Sequence, residues 1–191
     1  KYISFLISIK LFIILCKKKA YHFYFYFLFK KKKILKLNKN IGIIFRNHNR
    51  SVEKEKLLDL KNFCKTQGRK LFLANNFRLA VNLDLDGVYL SSYNKELGYK
   101  KYNIKKKFLI LGSAHNFKEI NLKKKQGVKL IFLSPLFKTK DYKKRLGITK
   151  FNILSRYAKN EIIALGGINE KNIKKLKMIN DYGFSAISYF N

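Results

Sequence analysis

The sequence predicts an α/β protein with a parallel sheet, and three observations support this fold class. From residue 22 onward, short β-rich runs alternate with longer lysine-rich runs that have helical spacing. The strand-like runs are almost continuously apolar, as expected where helices cover both faces of a parallel sheet. The loops after the strands hold small polar residues, amides and cations, and Asp141 is the one acid among them.

Eight strands and several helices follow from this alternation. The strands are predicted at 22–29, 41–45, 70–74, 87–91, 107–111, 130–134, 161–165 and 185–190, and helices at 51–68, 116–127 and 169–181 among others. Ser51 is a natural N-cap of the first of these helices. Gly68 and Gly127 stand where helix C-terminal glycines belong.

Eight strands in about 170 residues predict a (β/α)8 TIM barrel, although an open doubly wound sheet would show the same alternation. Only residues 30–40 separate the first two predicted strands, so the first helix is expected to be short. The chain ends at Asn191, directly after the eighth strand, so the last helix is expected to be missing or truncated.

The chain divides into an apolar and basic N-terminal extension at residues 1–20 and a barrel domain at residues 21–191. The apolar run at 2–16 is interrupted by Lys10 and is too short for a transmembrane helix. Lysines follow it where a signal peptide would carry small residues. A dispensable extension or an extra packing segment is expected, with membrane attachment as the alternative.

The net charge of +32 indicates anionic partners. Only six of the 43 cations are arginine, which is the residue that makes bidentate contacts to bases and phosphates. Attraction of phosphorylated substrates is therefore expected, and specific nucleic-acid recognition is not. Cys16 and Cys64 fit no metal or redox spacing, which favours a reducing cytoplasm.

A pair of glycines, Gly166 and Gly167, ends the apolar run at 161–165, and Asn169 is placed to begin the next helix. Glycines at a strand end indicate that something approaches the backbone closely. A helix beginning there would direct free N–H groups at the same point. The stretch predicts a phosphate-binding site.

Four stretches carry a family resemblance. They are "LFLANNFRLAVNLDLDGVYLSS" (71–92), "LGSAHN" (111–116), "LIFLSPLFKT" (130–139) and "IIALGGIN" (162–169). In order and spacing they resemble the motifs of the thiamine phosphate synthase and TenI family, over roughly residues 41 to 190. The resemblance implies a (β/α)8 barrel in which hydroxymethylpyrimidine pyrophosphate is coupled to thiazole phosphate, with Mg²⁺ assistance and release of pyrophosphate.

The resemblance also implies the site residues. Substrate contacts are implied for Arg46, His48, Asn75, Asn76, Ser113, Thr139, Lys140, Lys143, Gly166, Gly167 and Ser188, and catalytic roles for Ser113 and His115. Arg46 and Ser113 would bind pyrophosphate, and Gly167 would receive the thiazole phosphate. His48 stands in place of the family's lysine.

Asparagines stand where the family has metal-binding acids, at Asn76 and Asn94. Because hard cations need charged oxygens, this replacement puts Mg²⁺ binding in doubt. The identity of any metal ligand is left open.

Two other functions stay open. In the TenI branch, a histidine at the position of His115 is thought to move protons in thiazole aromatisation, so a tautomerase or a catalytically degenerate thiazole-phosphate binder is one alternative. A basic protein that binds nucleic acid or a membrane surface is the other. A homo-oligomer is possible under each of them.

Overall fold

The computed structural model describes residues 21–26, 34–35, 38–46, 54–139, 145–179 and 183–185. Within these ranges the strands are β1 (Tyr21–Tyr26), β2 (Ile41–Phe45), β3 (Leu71–Ala74), β4 (Gly87–Leu90), β5 (Leu109–Ala114), β6 (Leu130–Leu133), β7 (Glu161–Leu165) and β8 (Gly183–Ser185). The helices are α1 (Lys54–Thr66), α2 (Phe77–Asn82), α3 (Phe117–Lys125) and α4 (Gly147–Ala158), with 3₁₀ turns at Tyr99–Lys101 and Ile173–Met178.

The strands pair in parallel and in chain order, from β1 to β8. β8 also pairs with β1, so the sheet closes into a barrel. The predicted parallel α/β fold is confirmed, and the open doubly wound alternative is excluded by the β1–β8 pairing. The described helices do not make up eight β/α units. The expected short first helix and truncated last helix fall mostly on residues outside the described ranges and stay predictions.

Both faces of the sheet are buried, which explains why the strands read as continuous apolar runs. One cluster fills the barrel interior and is made of Ile44, Phe72, Tyr89, Leu111, Leu130, Phe132 and Ile163. A larger cluster lies between the strands and the helices. There α1 contributes Leu57, Leu60 and Cys64 from its buried face.

Several boundaries differ from the predicted ones. α3 is shorter than predicted and α1 ends two residues before its predicted end, while Gly68 and Gly127 follow them with positive φ, as expected. The predicted N-cap Ser51 lies outside the described residues. β5 continues to Ala114 instead of ending at 111, because its pairing with β6 runs on through Ser113 and Phe132.

The segment after β7 is not the helix predicted at 169–181. Asn169 and Asn172 form turns, and the helical part is the 3₁₀ stretch Ile173–Met178. The Asn172 side-chain oxygen accepts the Asn169 N–H at 2.9 Å, and the Asn169 side-chain oxygen accepts the Lys171 N–H at 3.0 Å. These bonds satisfy the backbone locally and compete with an α-helix. The expectation that a helix N-terminus directs its N–H groups at a phosphate here is therefore wrong.

The division into an extension and a barrel domain is not tested, because residues 1–20 lie outside the described ranges. Among the described residues, no helix has the length and apolar content needed to cross a bilayer.

Phe72→Ala should destabilise the fold strongly. Phe72 is 1% exposed in the barrel interior, and its truncation leaves a cavity that the closed ring of strands cannot collapse to fill. We expect the free energy of unfolding to fall by about 3–5 kcal/mol, measured by urea denaturation. Leu97→Ala, at a side chain that is 59% exposed, is the control and should change it by less than about 0.5 kcal/mol.

Candidate functional site

Tyr89 and Ser113 are in contact inside the barrel near the carboxyl ends of β4 and β5, and Arg46, which follows β2, is near enough for its charge to act on Tyr89. Ser113 is buried in β5, and its hydroxyl is hydrogen-bonded to that of Tyr89. Burial raises the pKa of Tyr89 to about 12, against smaller opposing effects of the Ser113 bond and the positive charge of Arg46. The phenol is therefore a neutral hydrogen-bonding group at physiological pH. Among the described residues, the buried Nε of half-buried Arg46 has no hydrogen-bond partner, so this guanidinium has donor capacity left for a ligand.

Asn75 ties the end of β3 to residues 91–96, which we call the β4 loop. Its side-chain oxygen accepts bonds from the Ser91 N–H at 2.9 Å and the Ser91 hydroxyl at 2.7 Å. Its side-chain nitrogen donates to the Tyr93 hydroxyl at 2.8 Å. The residue has a φ of +57°, a left-handed conformation that asparagine tolerates better than most side chains. Asn75 thus has a structural role, and the substrate contact that the resemblance implies for it stays a prediction.

His115 bridges the β4 loop and residues 134–139, which we call the β6 loop. Its Nδ1 lies 2.6 Å from the carbonyl oxygen of Ser134, and its Nε2 lies 3.1 Å from the Ser92 hydroxyl. A carbonyl oxygen only accepts, so Nδ1 carries the proton in the neutral ring and Nε2 accepts from Ser92. The His115 backbone N–H donates to Glu119 Oε2 at 2.7 Å.

The two glycines after β7 face the β6 loop. The N–H of Leu136 donates to the Leu165 carbonyl at 2.9 Å, and that of Phe137 donates to the Gly166 carbonyl at 3.0 Å. A Cβ on Gly166 would lie 2.8 Å from Pro135 Cβ, and one on Gly167 would lie 2.7 Å from the Phe137 carbonyl oxygen. The close backbone approach predicted from the sequence is present, and the approaching group is the β6 loop itself.

The remaining predicted residues divide into two groups. Thr139 is half-buried at the end of the β6 loop. Four others lie outside the described residues, so their roles stay predictions: His48, Lys140, Lys143 and Ser188.

A family model described as thiamine monophosphate synthase matches residues 34–190. The chain belongs to this family. It is 29% identical over 135 residues to the thiamine-phosphate synthase of Prochlorococcus marinus, covering 70% of this chain and 38% of that protein. It is 28% identical over 136 residues to that of Fusobacterium nucleatum, covering 70% of this chain and 66% of that protein.

A solved structure shares the fold. The thiamine phosphate pyrophosphorylase of Pyrococcus furiosus superposes with a TM-score of 0.72 over 91% of this chain and 88% of that chain, at 18% identity. The matched part of the chain spans less than two thirds of the length of the curated relatives named above.

The Mg²⁺ that the thiamine monophosphate synthase resemblance implies does not fit the donors at positions 76 and 94. Asn76 is the N-cap of α2, and its side-chain oxygen accepts the Leu79 N–H at 3.0 Å. The Asn94 side-chain oxygen already accepts from three donors, on Glu96, Tyr99 and Gln126. Across the described part of the chain, no three His, Cys, Asp or Glu residues are grouped as metal ligands would be.

Lys123 and Gln126 were not expected in the site of this family member, yet both are buried beneath the β4 loop. Lys123 Nζ donates to the carbonyl oxygens of Ser91 and Asn94, at 2.7 and 3.2 Å, and to Gln126 Oε1 at 2.8 Å. One sequence signal pointed to it: Lys123 stands three residues after buried Ile120, on the same face of α3. In a lysine-rich helix that signal is weak.

Gly167→Ala should destabilise this family member more than Gly68→Ala. Both glycines have positive φ, at +70° and +64°, but only Gly167 has backbone atoms within 3 Å of the added Cβ. We expect the free energy of unfolding to fall by about 3 kcal/mol for Gly167→Ala and about 1 kcal/mol for Gly68→Ala, measured by urea denaturation. Equal losses would contradict the close contact with the β6 loop.

Lys123→Met should flatten the dependence of stability on pH. Burial lowers the pKa of Lys123 to about 8 from 10.5, with a smaller opposing effect of Glu119. Between these values the unfolded chain binds more protons than the folded one, so stability rises with pH across that window. From pH 7.5 to 10 the wild type should gain on the order of 1–2 kcal/mol more than Lys123→Met. The matched control Lys125→Met, at an exposed lysine two residues later, should follow the wild type.

Proposed function

We propose that this protein is a thiamine phosphate synthase-like transferase that couples hydroxymethylpyrimidine pyrophosphate to thiazole phosphate. The observation that carries the proposal is that Tyr89, near the carboxyl ends of the strands, is hydrogen-bonded to Ser113 and is acted on by the charge of Arg46. A guanidinium whose Nε has no partner in the described part of the chain, together with a hydroxyl next to a neutral phenol, suits a pyrophosphate group. Membership of the thiamine monophosphate synthase family supports the same reaction.

The coupling is a substitution at the methylene carbon of the pyrimidine. The thiazole nitrogen forms the new C–N bond, the C–O bond to pyrophosphate breaks, and its electron pair leaves on the pyrophosphate oxygen. Arg46 and Ser113 would stabilise the charge that develops there. No step is assigned to Mg²⁺.

The thiazole phosphate would bind at the other side of the barrel mouth. The Gly167 N–H takes no part in the hydrogen bonds among the described residues, and the contact between Gly167 and the β6 loop holds it rigidly. Thr139 lies at the end of the same loop. A rigid backbone N–H beside a hydroxyl and the lysines that follow in the sequence would suit a phosphate monoester.

A thiazole tautomerase is the second candidate, and the hydrogen bonds of His115 favour it. With the proton on Nδ1, the unprotonated Nε2 can take a proton from a substrate once the Ser92 hydroxyl moves aside. A degenerate protein that only binds thiazole phosphate would keep the Gly167 side of the site and lack product formation.

Further properties are part of the proposal. We infer a barrel of eight β/α units with a shortened first helix, a cytoplasmic location and self-association. The buried thiol of Cys64, whose pKa burial raises to about 11, would be inert in a reducing compartment. Nucleic-acid or membrane-surface binding remains the alternative of another class, supported by the net charge alone.

The proposal predicts thiamine phosphate and pyrophosphate in equal amounts when the protein is incubated with both substrates and Mg²⁺. Arg46→Ala and Ser113→Ala should each lower kcat/KM by roughly 10²-fold, because each removes a contact to the leaving group. Arg78→Ala removes the same charge from the exposed face of α2 and should leave the rate unchanged. Both products are followed by liquid chromatography.

Absence of both products in the wild type would overturn the transferase. If thiazole phosphate still raised the melting temperature, the binder or tautomerase would take its place. Proton exchange on the thiazole that is lost in His115→Gln would select the tautomerase.

A further inference from the structure

In the described part of the chain, the buried charge of Lys123 under the β4 loop has no carboxylate partner. Lys123 is 0% exposed, and its Nζ contacts three neutral oxygens, on Ser91, Asn94 and Gln126. Among the described residues, no carboxylate lies within ion-pair distance of this ammonium, and Glu119, one turn earlier, acts on it only through space. Charge that is buried without a counter-ion is poorly screened by salt and extends its potential to nearby anions.

The loop that Lys123 holds carries several side chains of the site. The Ser91 and Asn94 carbonyls bracket a turn in which the Asn94 N–H donates to the Ser91 carbonyl at 3.0 Å. Within the loop, Ser91 and Tyr93 bond Asn75, and Ser92 bonds His115. Lys123 thus supports the contacts that orient Asn75 and His115.

Asn94 is directed toward α3. Gln126 Nε2 donates to its carbonyl oxygen at 3.0 Å and to its side-chain oxygen at 3.2 Å, while Lys123 Nζ takes the same carbonyl. Gln126 also donates to the Glu96 carbonyl at 2.8 Å. An ammonium and an amide therefore satisfy the oxygens of the loop.

We propose that the cation organising this end of the barrel is the Lys123 ammonium, and that the protein binds the pyrophosphate of its substrate without a divalent metal. A divalent ion would supply positive charge and fix the loop that binds it. Lys123 supplies one positive charge from within the fold and fixes the same loop through two carbonyls. This inference rests on the proposed function for the identity of the anion, and Lys123 acts as a positioning residue.

The test is calorimetric titration of inorganic pyrophosphate into the full chain at physiological ionic strength, once with EDTA and once with Mg²⁺. The wild type should bind in EDTA, and Mg²⁺ should change the affinity by less than about threefold. Lys123→Met keeps most of the length of the side chain and removes the charge, so pyrophosphate affinity should fall by roughly tenfold. Lys125→Met, in the same helix turn but exposed, should bind as the wild type does.

A second ligand separates positioning from general damage to the fold. Thiazole phosphate is expected to bind at the Gly167 side, and its affinity should be the same in Lys123→Met and wild type. Equal weakening for both ligands would mean that Lys123 only stabilises the fold, and this would overturn its proposed role. If Lys123→Met does not fold, as judged by circular dichroism, the wild-type comparison of EDTA with Mg²⁺ decides.

Binding that requires Mg²⁺ would overturn the inference, as would unchanged pyrophosphate affinity in Lys123→Met. The outcomes that would overturn the proposed function are different ones. Pyrophosphate binding in EDTA without product formation would leave the inference standing and remove the transferase. Product formation that depends on Mg²⁺ would support the transferase and overturn the inference that pyrophosphate is bound without a divalent metal.

Discussion

Tyr89 belongs both to the apolar interior of the barrel, through its ring, and to the candidate site, through its hydroxyl. The position of the polar groups in the site depends on this residue. Its ring packs edge-on against Phe132, with centroids 5.4 Å apart, in the apolar interior. Its hydroxyl meets Ser113 and lies within the field of Arg46. The apolar layer fixes where the phenol stands, and the phenol in turn orients the Ser113 hydroxyl. The interior packing and the polar mouth of the barrel therefore form one continuous structure.

Around the mouth of the barrel, asparagine amides accept hydrogen bonds that carboxylates could also accept. Asn75, Asn76 and Asn94 each use the side-chain oxygen to satisfy backbone or hydroxyl donors. An amide accepts as a carboxylate does but brings no negative charge and gains little from a hard cation. These amides do not offset the positive charges of Arg46 and Lys123, and this is part of the basis for the proposed anionic ligand.

Much of the fold could be predicted from the sequence, since the apolar runs and their spacing place the strands. Closure of the sheet into a barrel could not be predicted, because an open sheet has the same local sequence pattern. Only the pairing of β1 with β8 distinguishes the barrel from the open sheet. Motif order correctly placed Arg46, Ser113 and the glycine pair at or near strand ends, while their roles in binding stay predictions. The role of Lys123 could not be predicted from the sequence. Its burial depends on the residues that pack over it in the fold, and little in the sequence distinguishes it from the other lysines among the 37 in the chain. The helix after β7 was wrong because Asn169 and Asn172 bond the backbone nearby, which helical spacing does not reveal.

The glycine pair is also easier to interpret in the structure than in the sequence. Both a ligand and a neighbouring loop call for a close approach to the backbone, and sequence alone does not separate them. Here the β6 loop makes that approach, with two hydrogen bonds to the Leu165 and Gly166 carbonyls. A phosphate-binding role for Gly167 would then depend on the rigidity that this loop gives its N–H.

The pairing of β1 with β8 has a consequence for how the protein is made. Tyr21 pairs with Gly183, so the sheet closes between segments about 160 residues apart in the chain. Until β8 is synthesised, β1 and β7 each present an unpaired edge on which another copy could add a strand. Contacts of such long range form slowly. A nascent chain that carries many lysines repels its neighbours during that interval, so the large net charge would protect the growing barrel from aggregation on the ribosome.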